Sequence, residues 1–347
     1  MKTFNLKFIF LAFGIVLFSS CTKLLYTSLD VLRPAKVAFA IDANNLLIVN
    51  NSVIQPSNYG HLTQLLNEKP KMASIPCDSL GIFCLSALNE DLDSKDFFSS
   101  IQFSPNSQNS RAEFFNHFGL TNDKINELCK TNHSNVILSL ENIKVNDDLN
   151  EYFIPENGTF LASLEVKYET VWNIYYPNDF NPVKLNFKDT LYWESESYSR
   201  QKAMAAIPKR QDALIDGALE AGHKCANRFV PYWEKVDRYF FNSSNKLMKQ
   251  GMDSVYVKNW KSAIEIWEKV YSTNKSTYIQ AQAANNIAIA YEITGDIDKA
   301  LDYATKSFYS FGELQIYNSS FLRLSDYLNE LAQRKKEISI LKKQLGE

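Results

Sequence analysis

Four histidines, five cysteines and a few close-set aspartates are the residues best suited to chemistry in this chain. His61, His117, His133 and His223 lie far apart, and none has a partner at the spacing a metal site needs. His117, in the segment FFNHF, is expected on the edge of a helix. Asp91, Asp93 and Asp96 have the rhythm of a calcium loop, but the glycine that turns such a loop is missing, so a solvated helix end is expected. The pair Asp147-Asp148 reads as part of a polar loop. There is no G-x-S-x-G elbow, no phosphate-binding loop and no dinucleotide fingerprint. The reading is of a chain that is not an enzyme, with no metal and no cofactor.

The elements that must position these residues fall into two parts. Residues 35–241 read as an α/β or α+β domain with a mixed sheet. Leu46 to Val49 and Val136 to Leu140 are short apolar runs suited to buried strands. From Phe160 to Tyr176 apolar and polar residues alternate with a period of two, with Ala162, Leu164, Val166, Tyr168 and Trp172 on one face. That period of two predicts an antiparallel strand with one wet face. The turn-forming run PNDFNP leads into a second alternating segment from Val183, completing a hairpin. Helices are expected after Asp78, after Thr121 and from Pro208 to Pro231, and Tyr232 to Phe241 reads as the last strand of the domain. Cys84, Cys129 and Cys225 sit among apolar residues of these helices, where a free thiol packs as a small hydrophobe.

Residues 242–347 read as helix throughout. Two segments align without a gap at an offset of 37 residues, so that Gly251 meets Ala288, Asn259 meets Asp296, Ala263 meets Ala300 and Tyr271 meets Phe308. Small residues at such positions let the two helices of a hairpin cross closely, and Gly295-Asp296 supplies the turn. This part resembles the tetratricopeptide repeat. Ile287, Ala288, Tyr291, Gly295, Asp296 and Ala300 stand at that family's signature spacing, while Ser254 departs from it and the period exceeds the usual 34 residues. The resemblance implies a concave groove lined by Met248, Met252 and Val255 from the first hairpin and by Gln282, Asn285, Ile289 and Glu292 from the second. Such a groove would be a partner-binding site for an apolar or weakly basic protein segment. Trp267, beside Ala263 and Val270, is expected in the core. Ile316, Phe321, Leu324, Tyr327, Leu328 and Leu331 predict a further helix over the open end of the stack.

The N-terminus carries Lys2 and Lys7, then the apolar run Phe8 to Phe18, then Ser19, Ser20 and Cys21. The run is too short to span a membrane, which takes about 20 residues. It reads as a signal peptide over 1–20. With a cysteine directly after the small pair, it resembles the signal of bacterial lipoproteins, in which the cysteine is lipidated. Thr22 in place of an aspartate implies the outer membrane, and the lack of an acidic cluster implies its periplasmic side. Residues 21–34 are then expected to be a lipidated tether. The compartment permits disulfides, although no pair among Cys77, Cys84, Cys129 and Cys225 has a tight motif spacing.

Cys21, Arg33-Pro34-Ala35, the WNIYY of the hairpin, the segment GHKCANRFVPYWEKVDRYFF and the repeats after it together resemble a family of uncharacterised lipoproteins of the Bacteroidota group. That family implies no activity. Thirty-seven basic side chains against thirty-nine acidic ones leave a net charge of −2. This lacks the basic excess by which nucleic-acid binders displace counterions. The expected function is a protein-interaction or scaffold module of the cell envelope with an unknown envelope protein as partner. The alternatives are a regulator or assembly factor of an envelope machine, in peptidoglycan synthesis or export, and a glycan or cell-wall hydrolase.

Overall fold

The computed structural model describes residues 23–108, 113–116, 118–179 and 181–347. Cys21, the signal peptide and His117 lie outside the described residues. The chain divides into an α/β unit, mainly Pro34–Tyr232, and a helical unit, mainly Trp233–Lys342 with the stretch that ends at Arg33.

The α/β unit is built on a seven-stranded sheet. Its strands are β2 (Asn45–Asn50), β3 (His61–Gln64), β4 (Lys71–Met72), β5 (Ser100–Ser104), β6 (Val136–Ile154), β7 (Thr159–Tyr175) and β8 (Val183–Ser197). β2 runs parallel between β5 and the first third of β6. β3 pairs in parallel with the later part of β6. β6, β7 and β8 form a long antiparallel meander. The sheet is therefore mixed, as expected.

The composition of each strand follows from what covers it. Leu46, Leu47, Ile48 and Val49 of β2 are all buried, because helices lie on both faces of a central parallel strand. On one face, Leu46 and Ile48 pack with helices α1 (Leu80–Asp93) and α4 (Arg210–Phe229). On the other, Leu47 and Val49 meet Ile125, Leu128 and Cys129 of α2 (Asn122–Thr131). A short helix α3 (Arg200–Ala206) precedes α4. Along β7 the residues the alternation selected are buried from Ala162 to Ile174, but Ser163 and Asn173, expected on the wet face, are buried as well.

α2 begins as expected, with the Thr121 hydroxyl accepting from the Lys124 N–H at 3.4 Å. The expected cap at Asp78 falls one residue later, at Ser79. Asp147-Asp148 is not a loop but mid-strand in β6, where pairing with β3 and β7 on either side overrides the turn preference of aspartate. The described cysteines Cys77, Cys84, Cys129 and Cys225 are free and buried.

α1 and α4 cross at Gly222. A Cβ there would stand 2.1 Å from the Cys84 carbonyl oxygen and 2.9 Å from the Ala87 Cβ. Gly222→Ala must push two helix backbones apart and is expected to destabilise the unit by at least the ~1–3 kcal/mol typical of overpacking. Thermal unfolding of the variant measures this; an unchanged midpoint would mean the crossing is looser than described.

The helical unit holds α5 (Lys246–Tyr256), α6 (Trp260–Thr273), α7 (Thr277–Ile293), α8 (Ile297–Glu313) and α9 (Ser319–Gln344). It also holds two strands, β1 (Lys23–Arg33) and β9 (Tyr232–Asn242), which pair with each other in a separate two-stranded ribbon. Two expectations are corrected here. The stretch 21–34 is not a tether over its described part, because Lys23–Arg33 is strand. β9 is not the last strand of the α/β sheet, and the division falls at Trp233 rather than after residue 241. Arg33 fixes the end of the ribbon, donating to Glu234 at 2.7 Å and to Glu330 and Glu337 at 3.0 Å each. Among the described residues, no helix is long and apolar enough to cross a membrane.

Candidate functional site

The groove expected from the helical hairpins is closed. Met248, Met252, Val255, Gln282, Asn285, Ile289 and Glu292 are all buried, none more than 9% exposed. They do not form an open partner-binding surface, because the chain's own β9 lies among them. Tyr239, Phe240 and Phe241 of β9 share one apolar core with Met248, Met252, Val255 and Ile289. The Phe241 N–H donates to Asn286 Oδ1 at 2.7 Å, and Asn286 Nδ2 donates back to the Phe241 carbonyl at 2.9 Å. Asn285 Nδ2 donates to the Tyr239 carbonyl at 3.1 Å. Glu292 accepts from Arg238 at 2.7 and 2.9 Å and from Arg334. A strand's backbone polar groups must be satisfied when buried, and the helix supplies amide side chains to do it.

A different constellation lies in the α/β unit, and one of its members, Cys77, lines a cavity of about 190 Å³. β3 carries His61 and β6 carries Asp147, directly opposite each other in the parallel register. Gly60 makes this approach possible: it has a φ of +88°, and a Cβ there would stand 2.2 Å from Asn146 Oδ1. His61 Nδ1 lies 2.5 Å from Asp147 Oδ1. The other carboxylate oxygen accepts from Arg210 Nε at 2.5 Å. Arg210, the first residue of α4, also donates to Thr63 Oγ1 at 2.6 Å and to the Leu62 carbonyl at 3.0 Å. Cys77, on the segment leading into α1, places Sγ 3.6 Å from His61 Nε2.

The polarity of this chain follows from its donors and acceptors. A carboxylate paired with Arg210 is an acceptor, so His61 donates from Nδ1 and turns Nε2 to the thiol. Burial pushes the Cys77 thiol up to about 11, and the Asp147 and Asp78 carboxylates push it the same way. The thiol therefore keeps its proton at neutral pH and has two acceptors within reach, His61 Nε2 at 3.6 Å and the Ile75 carbonyl at 3.4 Å. Cys84, Cys129 and Cys225 are also pushed up by burial, and among the described residues no hydrogen bond joins them to an imidazole. His61 bridges two partners with its two nitrogens, unlike ligands that converge on one ion. Among the described residues no group of three or more His, Cys, Asp or Glu is placed to hold a metal.

The cavity is lined by Asn50, Ser52, Gln55, Ser107 and Gly81 as well as Cys77. Gln55 is rigid, holding both backbone groups of Val145 at 2.7 and 2.8 Å. Of the remaining histidines, His223 pairs with Asp91 at 3.1 Å on the surface. Sequence reasoning missed the constellation because His61, Cys77 and Asp147 lie on three separate segments, His61 and Asp147 being 86 residues apart.

Fold and site together define a two-part protein: a mixed-sheet α/β unit with a buried cysteine–histidine–aspartate chain, and a unit of five helices with a two-stranded ribbon. The chain belongs to the family described as a domain of unknown function, DUF8603, whose model matches residues 43–241. A second family model, the domain of unknown function DUF6340, matches residues 249–333. No curated protein matches the chain.

Proposed function

We propose that this chain is a lipoprotein of the bacterial cell envelope, anchored in the outer membrane through lipid on Cys21, facing the periplasm and acting as a scaffold for another envelope protein. The helical unit is read as a tetratricopeptide-like stack. Its two hairpins use the same cap at aligned turns: Asn259 accepts from the Ser262 N–H and Asp296 from the Lys299 N–H, both at 3.1 Å. Gly251, aligned with Ala288, leaves room for Trp267, since a Cβ there would stand 2.1 Å from the indole nitrogen.

The observation that carries the reading is the grip of Asn286 on both backbone groups of Phe241, the way a helical stack holds an extended segment. Here the segment is the chain's own, so the stack serves as an internal clamp. β1, which begins two residues after Cys21, belongs to the clamped ribbon. The anchor would then pull on a folded ribbon instead of a loose tether. The partner meets surfaces other than the groove. The cavity beside Cys77 favours one further reading, a regulator of an envelope machine acting through the α/β unit.

The test compares the wild-type chain with Cys21→Ser in cells fed labelled palmitate. The expected result is labelled protein in the outer-membrane fraction, cross-linked to one recurring envelope protein, and neither label nor membrane recovery for Cys21→Ser. Label that survives the substitution, or a wild-type chain that cross-links to nothing, would overturn the reading.

A further inference from the structure

We propose that Cys77 is an acyl-accepting thiol, with His61 as its general base and Asp147 as the carboxylate that orients the base, acting on small uncharged esters or amides. This inference goes beyond the scaffold reading and does not depend on it.

Four features of the α/β unit meet at this point. The first is the linear order of the side chains. Sγ faces Nε2 at 3.6 Å, and Nδ1 faces a carboxylate at 2.5 Å. Nucleophile, base and orienting acid are thus in the sequence that acyl transfer uses. Arg210 completes it by taking the second oxygen of Asp147, so the carboxylate cannot swing away from the imidazole. The base is held in one tautomer and one orientation.

The second is access. Cys77 lines the cavity, while His61 and Asp147 are closed off from solvent behind it. Of the three side chains only the Cys77 sulfur is open to a carbonyl carbon in the cavity, and the imidazole is buried. The third is a donor set for the oxygen of that carbonyl. α1 starts three residues after Cys77, and its first residues Leu80, Gly81 and Ile82 line the same cavity. The Leu80 N–H already donates to the Cys77 carbonyl at 3.4 Å, so the oxygen is left to the amides of Gly81 and Ile82, where the helix dipole adds positive potential. Ser79, at the cap position, makes no side-chain hydrogen bond to them. Gly81 lets this turn sit tightly against the wall, since a Cβ would stand 2.5 Å from Ser52 Oγ.

The fourth feature is what the cavity would accept. Its walls combine neutral amides and hydroxyls (Asn50, Ser52, Gln55, Ser107) with the side chains of Val53 and Ile54. Among the described residues of the lining Asp78 is the charged one, and it disfavours anionic acyl groups. The ligand class is therefore a short, neutral acyl chain.

The step balances without any further reagent than water. The Sγ–H proton passes to His61 Nε2 as sulfur forms a bond to the carbonyl carbon. The carbonyl oxygen becomes an oxyanion facing the first turn of α1. Its collapse breaks the bond to the alcohol or amine, which leaves with the proton from Nε2. The product on the protein is a Cys77 thioester. Water, giving a proton to the same nitrogen, then attacks the thioester, releases the carboxylic acid and restores the thiol.

The test uses the full chain and p-nitrophenyl acetate as the probe, with intact mass and peptide mapping as readouts. The expected result at pH 7 is a stoichiometric burst of p-nitrophenol and one acetyl group, on Cys77. Cys84, Cys129 and Cys225, equally buried, stay unmodified and serve as internal controls. Cys77→Ser removes that adduct. His61→Gln slows acylation about 10²-fold or more, the ordinary contribution of a general base. It also makes the rate climb with pH towards the thiol's own range, a change that a merely structural histidine would not cause. The wild-type protein alone decides the matter if His61→Gln does not fold. Native Cys77 must be acetylated faster than the same cysteine in the urea-unfolded chain. Slower native acetylation, acetylation of all four cysteines alike, or a rate indifferent to His61→Gln in a folded variant would each overturn the proposal.

Discussion

Trp267→Ala is expected to lower the stability of the helical unit by ~3–5 kcal/mol, the range for deleting a large aromatic from a closed core. Trp267 is fully buried, between α5 and the ribbon strand β9. Its ring centroid lies 5.6 Å from that of Phe240, and its indole N–H donates to the Met248 carbonyl at 3.3 Å. Gly251 is glycine because the indole occupies the space where a side chain would be. Truncation leaves a cavity facing three elements at once, and none of them can collapse into it without breaking the grip on β9. A denaturant titration followed by far-ultraviolet circular dichroism reads the loss as an earlier transition. A midpoint equal to that of the wild type would show that the register of the α5–α6 hairpin is wrong.

Glu292→Ala is expected to cost about as much, ~3–5 kcal/mol, through electrostatics instead of volume. Arg238 is only 5% exposed and Arg334 is 14% exposed at the side chain, and both donate to the Glu292 carboxylate. Removing that carboxylate leaves buried guanidinium charge with half its partners gone, which is far worse than never having had the pair. Arg238 keeps Glu330 at 3.1 Å, and this partial compensation sets the lower end of the range.

The same pair predicts a pH dependence. Burial alone would raise the Glu292 carboxyl, but the hydrogen bonds from Arg238 and the charges of Arg238 and Arg334 outweigh it and hold the group below its ordinary value. A carboxyl lowered by folding contributes its full stability above the unfolded-state value of about 4.3. That contribution fades as pH falls through the lower native value. Unfolding free energy measured from pH 7 down to pH 3 should therefore drop more steeply for the wild type than for Glu292→Ala. Parallel acid limbs would show that the pair is not ionised in the folded state. The exposed Asp302–Lys306 pair, at 2.6 Å on the surface of α8, should contribute ~0.3–0.5 kcal/mol at most.

What could be read in advance was local. The alternation along β7 marks its buried face because successive side chains of a strand point to opposite sides. Asn259 and Asp296 mark two helix starts because a short polar side chain can satisfy the free amides of a first turn. The central strands β2 and β6 announce themselves as apolar runs because both of their faces are covered. In each case the signal lies within one segment of about 20 residues and follows from backbone geometry.

The sequence by itself determined a mixed-sheet unit, a helical unit and part of their cores. Only the tertiary structure decided what fills the groove of the helices. β1 and β9 are distant in sequence, as the bond from Ser28 to Asp237 across 209 positions shows, and no local period connects them. Met252 and Ile289 look like an open apolar face along their helices, and the face is covered by a strand whose own pattern does not name its partner. Asp147 reads as a turn residue among Asn146 and Asp148, and becomes part of a site only when β3 brings His61 opposite. Side-chain constellations depend on which strands lie next to each other. That adjacency is set by the packing of the whole unit, through contacts that a period of two or 3.6 residues does not encode.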